Sequence, residues 1–166
     1  MLPATRKVIR ELLKGRYFRG ITVDLGCGEG LAGRLLKSHS NYLIGVDHAL
    51  GRLRLAAYRG YYDELVHSEI QHYTVPVTTE AVFMLDSLEH MSKKHGSYML
   101  QRLDHVPFIL VTTPETFHRM TFRNHHLSHW SEDELKNYGF STCTFNCGLL
   151  GALLGSRHSI LAVKGL

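Results

Sequence analysis

Between residues 24 and 33 the chain sets two acids, Asp24 and Glu29, among four glycines, Gly26, Gly28, Gly30 and Gly33. Glycines at that density let a backbone turn tightly and press against a ligand, and the neighbouring carboxylates select the charge of that ligand. Gly28-Glu29-Gly30-Leu31-Ala32-Gly33 satisfies the G-x-G-x-x-G pattern of dinucleotide folds. A pyrophosphate laid there would meet Asp24 and Glu29 at close range, and like charges in a half-buried site are costly. A ligand with positive charge and no phosphate fits better. A second group of reactive types is Asp86-x-x-Glu89-His90, with His126 and His129 further along. Imidazole titrates near neutral pH, so His90, His126 and His129 are the candidates for taking a proton from an acceptor hydroxyl.

The elements that must position these residues can be read from periodicity. Ile21, Val23 and Leu25 alternate as a strand does, and Leu31 to Lys37 carries apolar residues at helical spacing. Strand, glycine loop and helix in that order open a nucleotide site in an open α/β sheet. Tyr42 to Asp47 reads as the second strand, and Asp47 at its end suits the two hydroxyls of a ribose or, alternatively, caps the helix that follows. Leu50, Leu53, Ala57 and Tyr61 form the stripe of that helix, and Asp63 to Ile70 supplies the third strand. Ala81 to Asp86 is nearly all apolar, as a central parallel strand covered on both faces is. Asp86, Ser87 and Leu88 therefore open into the crevice at the carboxyl edge of the sheet. A helix over Ser92–Leu103 leads to a fifth strand over Val106–Glu115, with Pro107 near its start. Residues 116–131 show no period and hold His118, His125, His126, His129 and Trp130, the composition expected of an acceptor-side wall or lid. Ser131 caps the next helix, Gly139 closes it, and Thr142–Asn146 and Ile160–Val163 are the closing strands.

Val23-Asp24-Leu25-Gly26-Cys27-Gly28-Glu29-Gly30 resembles the first motif of the class I S-adenosylmethionine-dependent methyltransferases, of the type 11/12-like, single-domain kind. That cofactor has no phosphate and carries an ammonium and a sulfonium, in keeping with the charge argument. The resemblance covers residues 21 to 166 in order. It implies a Rossmann-like α/β fold, a mostly parallel seven-stranded sheet whose last strand is antiparallel beside the fifth, with helices on both faces. It implies that Asp24, Gly26, Cys27, Gly28 and Gly30 cradle the cofactor, that Asp47 holds the ribose with His48 beside the adenosine, and that Ser68, Glu69 and Ile70 surround the adenine. The family more often has Asp where Glu69 stands. Asp86, Ser87 and Leu88 are placed against the methionine part. The absence of an Asn or Asp followed by Pro-Pro and an aromatic argues against methylation of base amino groups, and O-methylation is the expectation.

The Asp86-x-x-Glu89-His90 group, His126 and Trp130 also resemble the methyltransferases acting on the terminal 2′-hydroxyl of small RNAs and those of ubiquinone biosynthesis. That likeness implies a divalent ion held by Glu89, His90 and His126. Two positions depart from the RNA enzymes: Asp86 replaces a Glu, and Ser128-His129 replaces a Phe-Glu. Oxygen and imidazole donors suit Mn²⁺, Fe²⁺ or Zn²⁺ better than Mg²⁺. A bare histidine base would use the same residues.

With 166 residues, 44% apolar and 20% charged, residues 1–166 are expected to form one globular domain. The run from Cys147 to Gly155 is too short to cross a bilayer, no secretory signal is evident, and three cysteines suggest reduced thiols and a cytoplasmic setting. Cys143 and Cys147 lack the second pair that a zinc site needs. Residues 1–20 hold Arg6, Lys7, Arg10, Lys14, Arg16 and Arg19 against the single acid Glu11, so this end carries more than the whole net charge of +4. Val8, Ile9, Leu12 and Leu13 recur at helical spacing, which predicts an amphipathic helix with its basic side outward. That side is either a solvated face or a landing strip for RNA or another polyanion. The acceptor is expected to be a small molecule or RNA, with no membrane involved. The competing reading is a non-catalytic domain that binds S-adenosylmethionine or S-adenosylhomocysteine as a sensor or partner subunit. An NAD-dependent oxidoreductase is disfavoured by Asp24 and Glu29.

Overall fold

The computed structural model describes residues 3–115, 126–147 and 158–165. Strands β1 (Phe18–Leu25), β2 (Ser40–Asp47), β3 (Glu64–His67), β4 (Thr79–Leu85), β5 (Phe108–Pro114), β6 (Ser141–Asn146) and β7 (His158–Lys164) form one sheet in the order β3-β2-β1-β4-β5-β7-β6. The first five pair in parallel, and β7 runs antiparallel to both β5 and β6. The expected sheet is thus formed, its last strand inserted beside the fifth.

The apolar runs explain the layering. Val23, Leu25, Val82, Met84, Ile109 and Val111 point to one face, and Leu43, Ala81, Phe83, Phe108 and Leu110 to the other, all of them buried. Strands buried on both faces need cover on both. Helices α1 (Pro3–Leu12) and α2 (Gly33–Lys37) cover the second face through Ile9, Leu35 and Leu36, with Leu13 just past the end of α1. Helices α4 (Lys93–Arg102) and α5 (Glu132–Asn137) cover the first through Met99, Leu100 and Leu135. Helix α3 (Leu50–Arg59) lies against the glycine loop, where Ala56 packs on Gly30.

Some boundaries differ from expectation. The basic helix predicted over residues 1–20 stops at Leu12; Gly15 turns the chain at φ +78° and β1 begins at Phe18. Helix α2 starts at Gly33 because residues before it form turns, with Gly30 N–H donating to Cys27 O (2.9 Å). In α3 the buried residues are Leu53 and Ala56, whereas Leu50 and Ala57 are exposed. Gly60, left-handed at φ +69°, ends α3 before Tyr61 and releases Tyr62 to pack between α2 and β2. Pro107 precedes β5, where its missing amide costs no ladder bond. Most of the predicted lid, residues 116–125 with His118 and His125, lies outside the described residues. Among the described residues no helix is long and apolar enough to cross a membrane.

Candidate active site

The strand order reverses between β1 and β4, and in open α/β sheets ligands bind in the crevice outside the carboxyl ends of the strands at such a point. A cavity of about 270 Å³ occupies this place, bounded by Asp24, Gly26, Cys27, Gly28, Leu85 and Asp86. The glycine loop is tied down by backbone bonds from Gly26 N–H and Cys27 N–H to Val46 O (2.8 and 3.0 Å). Gly26 (φ +82°) cannot be replaced: a Cβ there would stand 2.6 Å from Ser87 Cβ. Gly28 (φ +55°) is also left-handed, yet nothing of the protein lies within 4 Å of where its Cβ would be, so the space above it is open.

The acids differ in what holds them. Asp24 is buried beneath the loop, and Tyr62 Oη donates to its Oδ2 at 2.7 Å. Burial pushes its carboxyl up to about 7; the Tyr62 hydroxyl opposes this and the Asp47 charge adds to it. The same burial raises the Tyr62 phenol and the Cys27 thiol, so neither ionises near neutral pH. Asp47 sits at the end of β2 with both oxygens engaged: Oδ2 accepts from Gly28 N–H (2.9 Å) and Oδ1 from Ala49 N–H (2.8 Å). The alternative of a side-chain cap on the following helix is not realised, since the N-cap of α3 is Ala49. Each carboxylate oxygen keeps a second lone pair, which leaves Asp47 able to accept further bonds. His48 is exposed, with Nδ1 3.7 Å from Asp47 Oδ1.

The predicted adenine-side residues follow β3. Ser68 N–H donates to Asp47 O (3.1 Å), which ties this segment to the end of β2. Ile70 Cδ1 lies over Gly26, and Glu69 is exposed, with its carboxylate bonded to Gln71 and 3.6 Å from His72 Nδ1. At the end of β4, Asp86 takes φ +53°, the one left-handed non-glycine among the described residues. Thr112 on β5 stabilises that conformation: its carbonyl and its hydroxyl each accept from Asp86 N–H (both 3.1 Å), and the hydroxyl donates to Asp86 Oδ1 (2.9 Å). Ser87 Oγ donates to Leu25 O (2.9 Å), joining β4 to β1 beneath the cavity, and Leu88 is fully buried.

A 3₁₀ turn over Leu88–His90 then presents Glu89 and His90. One donor atom each from Glu89, His90 and His126 lies within 4.8 Å of the others. The two imidazole rings meet edge to face with centroids 5.2 Å apart. Glu89 is buried, its Oε2 has no hydrogen-bond partner, and burial together with the Asp86 charge holds its carboxyl well above the usual range. His126 is delivered by backbone: Leu127 N–H and Ser128 N–H both donate to Glu89 O (2.8 and 3.1 Å). His129 does not join this group; its ring nitrogen is 2.7 Å from Glu115 O.

Sequence reasoning did not single out Tyr62 or Thr112, the two hydroxyls that hold Asp24 and Asp86. Neither stands in a motif. The only available signal for Tyr62 is indirect: Gly33 and Gly45 leave the room its ring fills, with a Cβ at either position 2.7 Å from the ring.

No protein-family model matches the chain, and no curated protein does. Solved structures do. The methyltransferase domain of the bacterial protein CtHen1 superposes with a TM-score of 0.68 at 19% identity, over 97% of this chain and 96% of that one. Magnesium protoporphyrin IX methyltransferase (ChlM) from Synechocystis PCC 6803, with bound SAM, gives 0.70 at 16% identity over 96% and 78%. DhpI in complex with SAH gives 0.72 at 15% over 97% and 83%. The chain therefore has the Rossmann-like fold of the S-adenosylmethionine-dependent methyltransferases.

Proposed function

We propose that the protein is an S-adenosylmethionine-dependent methyltransferase acting on a hydroxyl oxygen of a small molecule or an RNA. The observation that carries this reading is the adjacency of two sites at one sheet edge: the cavity bounded by Asp24, Gly26, Gly28 and Asp86, and the Glu89–His90–His126 group one turn beyond it. Asp24 and the loop amides suit the methionyl ammonium and carboxylate, Asp47 the ribose, and Ser68, Glu69 and Ile70 the adenine. Bound there, the cofactor supplies a methyl group on a sulfonium, a good leaving group. The protein's contribution is alignment of the acceptor oxygen with that methyl, and acceptance of the hydroxyl proton by His90 or His126 as the new C–O bond forms and the C–S bond breaks.

The residues present also fit a divalent ion. Glu89 is buried with its Oε2 lacking a hydrogen-bond partner, and one of its carboxylate oxygens lies within 4.8 Å of a ring nitrogen of His90 and of His126; an uncompensated buried carboxylate is what a cation relieves. In that alternative to a bare histidine base, Glu89, His90 and His126 would hold the ion, which would polarise the acceptor hydroxyl and ease loss of its proton.

Calorimetric titration with S-adenosylmethionine, and mass spectrometry of cell extract incubated with protein and deuterated-methyl cofactor, test the reading. Binding and a labelled product are expected. Glu89→Gln and His126→Ala should lose metal content and turnover while keeping cofactor affinity, and chelator should mimic them, with Mn²⁺ restoring the wild type. Absence of binding overturns the proposal. Binding without transfer to any acceptor leaves the sensor or partner-subunit reading.

A further inference from the structure

On the α1 side of the sheet, a cavity of about 380 Å³ runs between α1, the glycine loop and the end of α3, and its charged lining is Arg6, Lys7, Arg10, Arg34 and Arg59. A second cavity of about 350 Å³ shares Arg6, Arg10 and Arg34 and continues to Ser38 at the end of α2. Neither is lined by an acid. Arg59 pairs with Glu29 (3.9 Å), but Arg6, Lys7, Arg10 and Arg34 have no ion-pair partner among the described residues. Helix α1 alone would leave its cations fanned over a solvated face. Instead Arg34 and Arg59, from two other helices, turn toward the same groove, and Arg6 Nε is buried there with no hydrogen-bond partner. A guanidinium N–H taken out of water without an acceptor is costly, and cations gathered along one groove without an acid attract an anion.

The groove's shape narrows the anion. Two continuous cavities with cations along their length match repeated charges better than a single phosphate does. Tyr61, half-buried, lines the first cavity together with Arg59. A basic groove with accessible aromatic rings is how a single nucleic-acid strand is held, its backbone along the cations and its bases on the rings. We propose that this groove binds the phosphodiester backbone of single-stranded nucleic acid. Exposed Leu31 borders both the groove and the cofactor cavity, so a strand held here ends beside the mouth of the site. Binding does not depend on methyl transfer and can be measured without it.

The test is fluorescence anisotropy with a labelled single-stranded oligoribonucleotide of about twelve nucleotides, titrated over a range of salt. Each neutralised phosphate adds about −0.7 to the slope of log affinity against log salt. Arg6→Gln, Arg10→Gln and Arg34→Gln combined should flatten the slope by about 2 and weaken binding at least about tenfold at low salt. The triple Lys variant should retain the slope, and Lys94→Gln on α4, across the sheet, should change nothing. Should the triple Gln variant fail to fold by circular dichroism, the exposed single variants Lys7→Gln and Arg34→Gln carry the test, each flattening the slope by about 0.7. The proposal is overturned if the wild type does not bind the strand. It fails equally if inorganic phosphate or a mononucleotide binds as tightly, if anionic vesicles bind and the strand does not, or if the Gln variants keep the full slope.

Discussion

Asp47 reaches nineteen positions back along the chain to hold the amide of Gly28 through one oxygen, and holds the amide of Ala49 through the other. The same carboxylate is therefore a candidate ribose ligand and a structural clasp on the loop that shapes the cavity. Asp47→Asn exchanges one acceptor oxygen for a donor, so one of the two amides loses its partner. Hydrogen bonds to a charged group contribute about 1.5–3 kcal/mol, so the unfolding free energy of the cofactor-free protein should fall by about that amount, read as a lower urea midpoint at unchanged slope. An unchanged midpoint would show that the clasp carries no stability. Asp24 and Asp86 follow the same pattern, each controlled by a hydroxyl from a neighbouring element, Tyr62 and Thr112.

At the level of elements, the segment that carries His126 is anchored by one buried ring. Trp130 is fully buried, its Nε1 donates to Ser128 Oγ (2.9 Å), and Lys93 Nζ lies 3.9 Å from the centre of its ring. Immediately after it, Ser131 and Glu134 form a reciprocal capping box on α5, so the segment from 126 is fixed at both ends. Gly96 on α4 makes this possible: a Cβ there would stand 2.5 Å from Trp130 Cζ2. Gly96→Ala should cost about 1–3 kcal/mol by overpacking, read from thermal melting, and should displace His126 from Glu89. Reduced metal content in Gly96→Ala, with cofactor affinity unchanged, is the expected signature.

The whole molecule stores two acids in unfavourable surroundings at the mouth of one sheet, Asp24 and Glu89. The Asp24 carboxyl lies at about 7 in the fold against 3.8 ordinarily. Between those values the folded protein holds a proton that the unfolded chain has released, so stability is highest below pH 3.8 as far as this group is concerned, and falls as pH rises to about 7. Urea unfolding at about pH 5 and about pH 8 should show a loss on the order of a few kcal/mol, and Asp24→Asn should remove much of it. An identical pH dependence in the variant would contradict the assignment. Glu89, raised for the same reason, adds a loss in the same direction.

Periodicity and motif chemistry alone determined the α/β alternation, the glycine loop at the end of β1, the apolar runs within β4 and β5, the Ser131 cap and the amphipathic character of α1. These are properties of neighbours in the chain, settled by local backbone preference and by which side of an element must be apolar. The sheet order was legible only through a family resemblance, since nothing local states that β7 inserts between β5 and β6. A family resemblance grouped Glu89, His90 and His126 and left His129 beside them as a candidate base; how the three meet, and that His129 stands apart, was decided by tertiary structure. Glu89, His90 and His126 meet because two amides of the later segment bond to Glu89 O, whereas His129, three residues on, turns to Glu115. It also decided that Arg34 and Arg59 join the cations of α1. Such encounters depend on packing across tens of residues, and composition and spacing carry no record of them.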